Sequence, residues 1–223
     1  MNCKLIGYEY KSLEVTLSPG ESFYAERGSI VYVDEMLQHD VEFNSGGNPL
    51  RRLGGALRTA FSGESVLIIH FYNATCNDRK MVLSGSMCSL VAIKMQCASG
   101  NLLCRRGFYV GSTNKMNISL NVNLQGLLGG TRVFQKISGE ATVFLDSVGV
   151  PIEKALAQGE TISVDEDHIV ALHGFRSWQI QAGWSFGNML QGEGVSLMSI
   201  TGPGKIYLSP ISLKMHQTLN SRS

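Results

Sequence analysis

Fifteen residues near the start of this chain return, in altered form, near its end. Leu17-Ser18-Pro19-Gly20-Glu21-Ser22-Phe23-Tyr24-Ala25-Glu26-Arg27-Gly28-Ser29-Ile30-Val31 reappears as Leu156-Ala157-Gln158-Gly159-Glu160-Thr161-Ile162-Ser163-Val164-Asp165-Glu166-Asp167-His168-Ile169-Val170. Both copies carry a Leu, a Gly-Glu turn, a short alternating run, an acidic-polar turn and a closing Ile-Val. A weaker copy lies between them, Ser99-Gly100-Asn101-Leu102-Leu103-Cys104-Arg105-Arg106-Gly107-Phe108-Tyr109-Val110. Repetition at this distance means duplicated architecture, in which each copy buries its apolar face against a neighbour.

A second phrase, Ser/Thr-Gly ahead of an apolar run, occurs three times. It is Phe61-Ser62-Gly63-Glu64-Ser65-Val66, then Ile137-Ser138-Gly139-Glu140-Ala141, then Ile200-Thr201-Gly202-Pro203-Gly204-Lys205. The two phrases together divide the chain into three units, approximately 1–70, 71–145 and 146–215, with a polar, frayed tail at 216–223. No Pro/Ser-rich linker separates them. Residues 1–223 are therefore expected to form a single body whose units share a core in a pseudo-threefold arrangement.

Between the repeats, alternation sets the fold class. Leu13-Glu14-Val15-Thr16-Leu17 reads in-out, as a half-buried strand does. Val66-Leu67-Ile68-Ile69-His70-Phe71 is continuously apolar, as in a strand covered on both faces. Short strands divided by Gly, Asn, Asp and Ser indicate an all-β sandwich, jelly roll or barrel. Helix is a minor component. Leu50, Leu53, Leu57 and Phe61 recur at helical spacing, and Pro151-Ile152-Glu153-Lys154-Ala155-Leu156 fits one turn with Pro at a tolerated early position.

Charged residues make up 17% of the chain and hydrophobic ones 43%, with a formal net charge of +1. Low charge fits extensive buried sheet surface or a surface hidden in an oligomer. Near-neutrality removes any global argument for nucleic acid or an acidic membrane, leaving local patches. No run approaches a membrane span, and the first residues read as neither signal nor transit peptide. The five cysteines contain no CxxC pair, so free thiols in a reducing, cytoplasmic setting are expected.

Taken in order, several phrases carry a family resemblance. They are Pro19-Gly20-Glu21, Gly28-Ser29-Ile30-Val31-Tyr32, Phe61-Ser62-Gly63-Glu64-Ser65, Gly129-Gly130 with Ser138-Gly139, and Gly202-Pro203-Gly204. The chain resembles the altered-inheritance-of-mitochondria 24 family from Leu17 to about Leu208. Glu140 departs from the pattern, standing where a second glycine is expected. The resemblance implies a β-sandwich module of double-stranded β-helix type, like the trp RNA-binding attenuation protein, in triplicate. It implies no catalytic residue.

The candidate sites divide the same way. Gly54-Gly55 and Gly126-Leu127-Leu128-Gly129-Gly130 lack the Gly-Lys-Ser/Thr and helix start that hold phosphate, and read as turns. Asp165-Glu166-Asp167-His168, with His173 nearby, is the best metal-like cluster. It occupies the turn that is Glu26-Arg27-Gly28 in the first copy, so it reads as a solvated turn and no metal is assigned. Cys97 and Cys104 lie near Arg105 and Arg106, which lower a thiol pKa when close, but structural cysteine is the commoner case. Glu21, Glu64 and Glu160, each following a turn glycine as Glu140 does, suit local backbone hydrogen bonding. Gly20, Gly28, Gly63, Gly139, Gly159, Gly202 and Gly204 complete that structural set. Trp178 and Trp184 read as packing residues.

The segment Pro49–Phe61 carries Arg51, Arg52 and Arg58 on an amphipathic, acid-free frame, the pattern of an anion-contacting or interfacial element. Arg105 and Arg106 extend the same candidate surface. The reading is a non-catalytic scaffold or binding protein with no cofactor. It self-associates into a homo-oligomer and has a protein partner, with contact to RNA or to an anionic membrane through those arginines as alternatives.

Overall fold

The computed structural model describes residues 1–44, 66–122, 134–186, 195–212 and 216. The first strands are β1 (Asn2–Ile6), β2 (Ser12–Leu17), β3 (Ser22–Glu26), β4 (Ile30–Val33), β5 (Gln38–Asn44), β6 (Val66–Tyr72) and β7 (Arg79–Leu83). The next are β8 (Cys88–Met95), β9 (Leu102–Arg105), β10 (Tyr109–Ser112), β11 (Asn117–Val122), β12 (Phe134–Ser138) and β13 (Ala141–Val148). The last are β14 (Ile152–Leu156), β15 (Thr161–Asp165), β16 (Ile169–His173), β17 (Ile180–Phe186), β18 (Val195–Thr201) and β19 (Gly204–Leu208). Helical backbone among the described residues is limited to short 3-10 turns at Arg27–Ser29, Cys97–Ser99, Glu166–His168 and Ser177–Gln179, and to His216. The protein is all-β.

The strands form four sheets, in the orders β1-β2-β7-β4, β5-β6-β3-β10-β13-β8, β11-β12-β9-β16-β19-β14 and β15-β18-β17. Their pairings are antiparallel. An apolar core joins each consecutive pair of sheets. Leu13, Val15, Leu17 and Met81 of the first sheet meet Phe23, Phe71 and Phe144 of the second. Val91, Ile93, Val143 and Leu145 of the second meet Leu102, Cys104 and Ile137 of the third. Leu103, Phe134, Leu172 and Ile206 of the third meet Val164, Ile180 and Ile200 of the fourth.

The second and third sheets thus carry a core on each face, and their central strands β10, β13, β9 and β16 are buried along nearly their whole length, while the edge strands β5 and β14 are largely exposed. That accounts for the apolar run in β6, where Ile68 enters one core and Phe71 another. It also accounts for the low charge, because charged side chains are confined to the edge strands and strand ends of these sheets where solvent reaches.

Two strand pairs make the long sheets continuous. β3 pairs with β10 through Gly111↔Ala25 and Ser112↔Tyr24, and β9 pairs with β16 through Ala171↔Cys104 and Leu172↔Leu103. Gly111 is required at the first junction by close approach. A Cβ there would lie 2.6 Å from the Phe23 ring and 2.8 Å from the Tyr24 carbonyl oxygen.

Three sequence expectations change. Pro151–Leu156 is not a helical turn, since Ile152–Leu156 is β14, paired residue for residue with β19. Ladder hydrogen bonds to a formed strand outweigh a weak local preference. The Ser/Thr-Gly phrases are not all equivalent. Ser138-Gly139 joins β12 to β13 and Thr201-Gly202 joins β18 to β19, whereas Ser62-Gly63 precedes β6 and lies with Glu64 outside the described residues. Trp178 is not a packing residue, being 63% exposed.

Replacing Gly111 by Ala should lower stability by about 1–3 kcal/mol, the usual cost of overpacking. Urea denaturation would show it as a lower midpoint with an unchanged slope.

Candidate functional site

The Gly-Glu turns come first, because they hold the most conspicuous acids. Gly20 (φ +80°) and Gly159 (φ +79°) take the left-handed conformation that glycine adopts without steric cost. That turns the next carboxylate back onto the chain. Glu21 accepts from the Ser18 amide at 2.8 Å and Glu160 from the Ala157 amide at 2.9 Å. Ser99 makes the matching contact in the weak middle copy, its hydroxyl accepting from the Gln96 amide at 2.9 Å. Glu140 is exposed, and its carbonyl accepts from Asn114 Nδ2 at 3.1 Å, so a side chain is accommodated after Gly139.

The acidic-polar turns follow β3 and β15. Glu26 accepts from the Gly28 amide at 2.6 Å, and Asp165 from the Asp167 amide at 2.9 Å. Both are side-chain caps on a single 3-10 turn. Burial raises the Glu26 pKa, and its bond to the Gly28 amide opposes that.

Arg105 is the residue on which sequence and structure part most clearly. It was grouped with exposed arginines, yet it is 9% exposed. Its Nε donates to the Ile169 carbonyl at 2.8 Å, and its Nη2 donates to the Glu166 carbonyl and lies 3.9 Å from Asp167 Oδ1. The guanidinium, delivered from the end of β9, therefore ties down the turn Glu166–His168. That turn is not solvated as expected, for Glu166 is 7% exposed. His168 Nδ1 lies 2.8 Å from the Ser209 carbonyl. Arg106 is exposed. Arg51, Arg52 and Arg58 lie outside the described residues.

Two further reactive side chains are also engaged. Cys104 is fully buried, and burial pushes its thiol up to about 12 while Gln135 Nε2 contacts its sulfur at 3.3 Å. His173 Nε2 lies 3.1 Å from Ser99 Oγ, and burial, then the nearby Lys205, lower its pKa. Among the described residues, no group of three or more His, Cys, Asp or Glu is placed to hold a metal ion.

Two features escaped the sequence reading. Asp146, on β13, accepts from the Met87 amide at 2.9 Å, Ser86 Oγ at 3.1 Å and the Ser147 amide at 3.0 Å, fastening the connection from β7 to β8. Burial raises its pKa, against those bonds. A lone acid within the apolar run Ala141–Val148 was the available signal. The other is an aromatic stack, with His70 4.5 Å from Tyr24 and 5.6 Å from Tyr72 between ring centroids. Tyr24 and His70 are far apart in sequence and meet through the β3–β6 register, so no local pattern marks them.

The model of the family described as mitochondrial biogenesis AIM24 matches residues 3–211, and the chain belongs to that family. An uncharacterised protein of Streptococcus pyogenes serotype M6 is 28% identical over an alignment of 214 residues that covers 92% of this chain and 84% of that one. The crystal structure of protein SPYM3_0169 from Streptococcus pyogenes is similar in fold, with a TM-score of 0.71 and 21% identity over 99% of this chain and 98% of that one. Among the described residues, no helix is long and apolar enough to cross a membrane.

Arg105→Ala should cost about 3 kcal/mol, because it leaves two buried carbonyls without their charged donor. Arg105→Lys should cost less. Chemical denaturation of both variants checks this. His173 gives a pH dependence whose sign follows from its lowered pKa. The unfolded chain takes up a proton near the ordinary histidine value, about 6.5, and the native state resists it. The contribution is present above that value and is lost as pH falls through the lower native pKa. His173→Gln should flatten the fall in thermal midpoint over that window.

Proposed function

We propose that this protein is a non-catalytic scaffold of three related six-stranded units, working through the surfaces and edges of its sheets. The carrying observation is where its chemically capable side chains are spent. Glu21, Glu160, Glu26, Asp165, Asp146 and Arg105 all hydrogen-bond to the protein's own backbone.

Strand pairing supports the three-unit reading. β2, β7 and β4 pair in that order, as do β8, β13 and β10, and then β14, β19 and β16. The complementary triplets are β3-β6-β5, β9-β12-β11 and β15-β18-β17. A β-bulge falls at Ile30/Tyr32, at Tyr109/Gly111 and at Ile169/Ala171. One backbone bond recurs beside each bulge, Ser84 to Ser29, Asp146 to Phe108 and Ser209 to His168, each at 2.7 Å. On this reading the units are 12–83, 88–148 and 152–208. Those boundaries fall later than the turn phrases alone place the first of them. Units built from two facing three-stranded triplets also favour the sandwich module that the likeness to the trp RNA-binding attenuation protein implies. Free Cys3, Cys76 and Cys104 favour a reducing, cytoplasmic setting.

The alternative of RNA or anionic-membrane contact keeps Arg106 and the arginines of Pro49–Phe61, and loses Arg105 to the scaffold. Phosphate contact would give affinity that falls steeply with salt.

Native mass spectrometry of protein purified without chelator or high salt tests the proposal. Peaks at integer multiples of the polypeptide mass are expected. A retained metal or nucleotide, together with a turnover lost on substituting one His or Cys, would overturn it. A retained RNA fragment or lipid would favour the alternative.

A further inference from the structure

We propose that β4 and β15 are the two halves of a third strand junction, which a second copy of this chain completes head to tail. The inference rests on the three-unit reading. The recurring bonds at Ser29, Phe108 and His168 make β4 the counterpart of β10 and β16, and β15 the counterpart of β3 and β9. β10 pairs with β3, and β16 with β9. Among the described residues β4 pairs with β7 alone and β15 with β18 alone. Among the described residues each molecule therefore carries one open edge of each kind.

Exposure supports an unfilled junction at β4. Val110 and Val170 are 2% and 0% exposed in the filled junctions, whereas their counterpart Val31 is 59% exposed and its neighbour Tyr32 is 51%. An open edge bearing apolar side chains is a template for another strand. Charge supports the identity of that strand. In the β9–β16 junction Arg105, ending β9, faces Asp167 in the turn ahead of β16. At the open edges the signs exchange. Asp165 ends β15, and exposed Arg27 stands in the turn ahead of β4. A strand suited to β4 is thus one like β15, and this chain supplies it.

The core arrangement favours a second copy over closure within one. Cores join consecutive sheets, and none among the described residues joins the first sheet, with β4, to the fourth, with β15. Pairing across copies is heterologous and ends when a ring closes. Carrying over the registers Gly111↔Ala25 and Ala171↔Cys104 sets Tyr32 opposite Val164 and Val33 opposite Ser163.

The test mixes Val33→Cys protein with Ser163→Cys protein, both in a Cys76→Ser background, under mild oxidation, beside sedimentation velocity of the natural chain. The expected result is concentration-dependent association and a cross-linked peptide joining positions 33 and 163 of different molecules. Arg27→Glu should weaken association about tenfold, the scale of one interfacial charge pair. Val33 is half-buried, so Tyr32→Lys, at an exposed position, serves as a second block, with an unchanged circular dichroism spectrum and reduced association. A Val33→Cys/Ser163→Cys double variant that links only within one molecule would overturn the second copy and leave the three-unit reading standing. Absence of any link between these positions, with a monomer at all concentrations, would overturn the junction itself and that reading's account of β4 and β15.

Discussion

β3 with β10 and β9 with β16 are pairs of strands that the chain separates widely, and their antiparallel hydrogen bonds make two six-stranded sheets out of four shorter pieces. The rest of the structure depends on that continuity. Each long sheet belongs to two cores at once, with Phe23 and Phe71 on one face of the second sheet and Val143 and Leu145 on the other. The central strands of such a sheet have little solvent side on which to place charge, and the composition follows. The approach is close enough at Gly111 that a methyl group meets the Phe23 ring.

Holding such sheets together requires many tight turns, and unsatisfied backbone groups at buried turns are costly. The buried arginine answers that need, and the acids satisfy amides at turns that are exposed or half-buried. Glu21 and Glu160 cap one kind of turn, Glu26 and Asp165 another. Arg105 supplies charged donors to two carbonyls of a turn delivered by a different strand pair. The same side chains viewed without the fold include a solvated acidic turn and a surface arginine. Viewed in it, they account for the shape of the backbone around them.

The legible part of this protein was the part written in local pattern. The shared phrase at Leu17–Val31 and Leu156–Val170 corresponds to matching strands and capped turns, and the role of Glu21 and Glu160 was readable from their place after a turn glycine. The less legible part depended on partners distant in sequence. Ser62-Gly63 matches Ser138-Gly139 in letters but stands ahead of β6, because a two-residue turn signal carries no information about which strands it joins. Ile152–Leu156 had enough helical character to mislead until β19 was available to pair with it. Trp178 lies on the surface, although its size favoured the interior.

By itself the sequence determined the all-β class, the duplicated turns and the family, since alternation and glycine placement act over a few residues and need no distant partner. Tertiary structure decided which strands cross from one sandwich into the next, whether Arg105 faces solvent or the backbone, and where Asp146 and the Tyr24–His70–Tyr72 stack assemble. Register between strands fixes those outcomes. It arises from the fit of whole sheet faces to one another, a property no short window of residues contains.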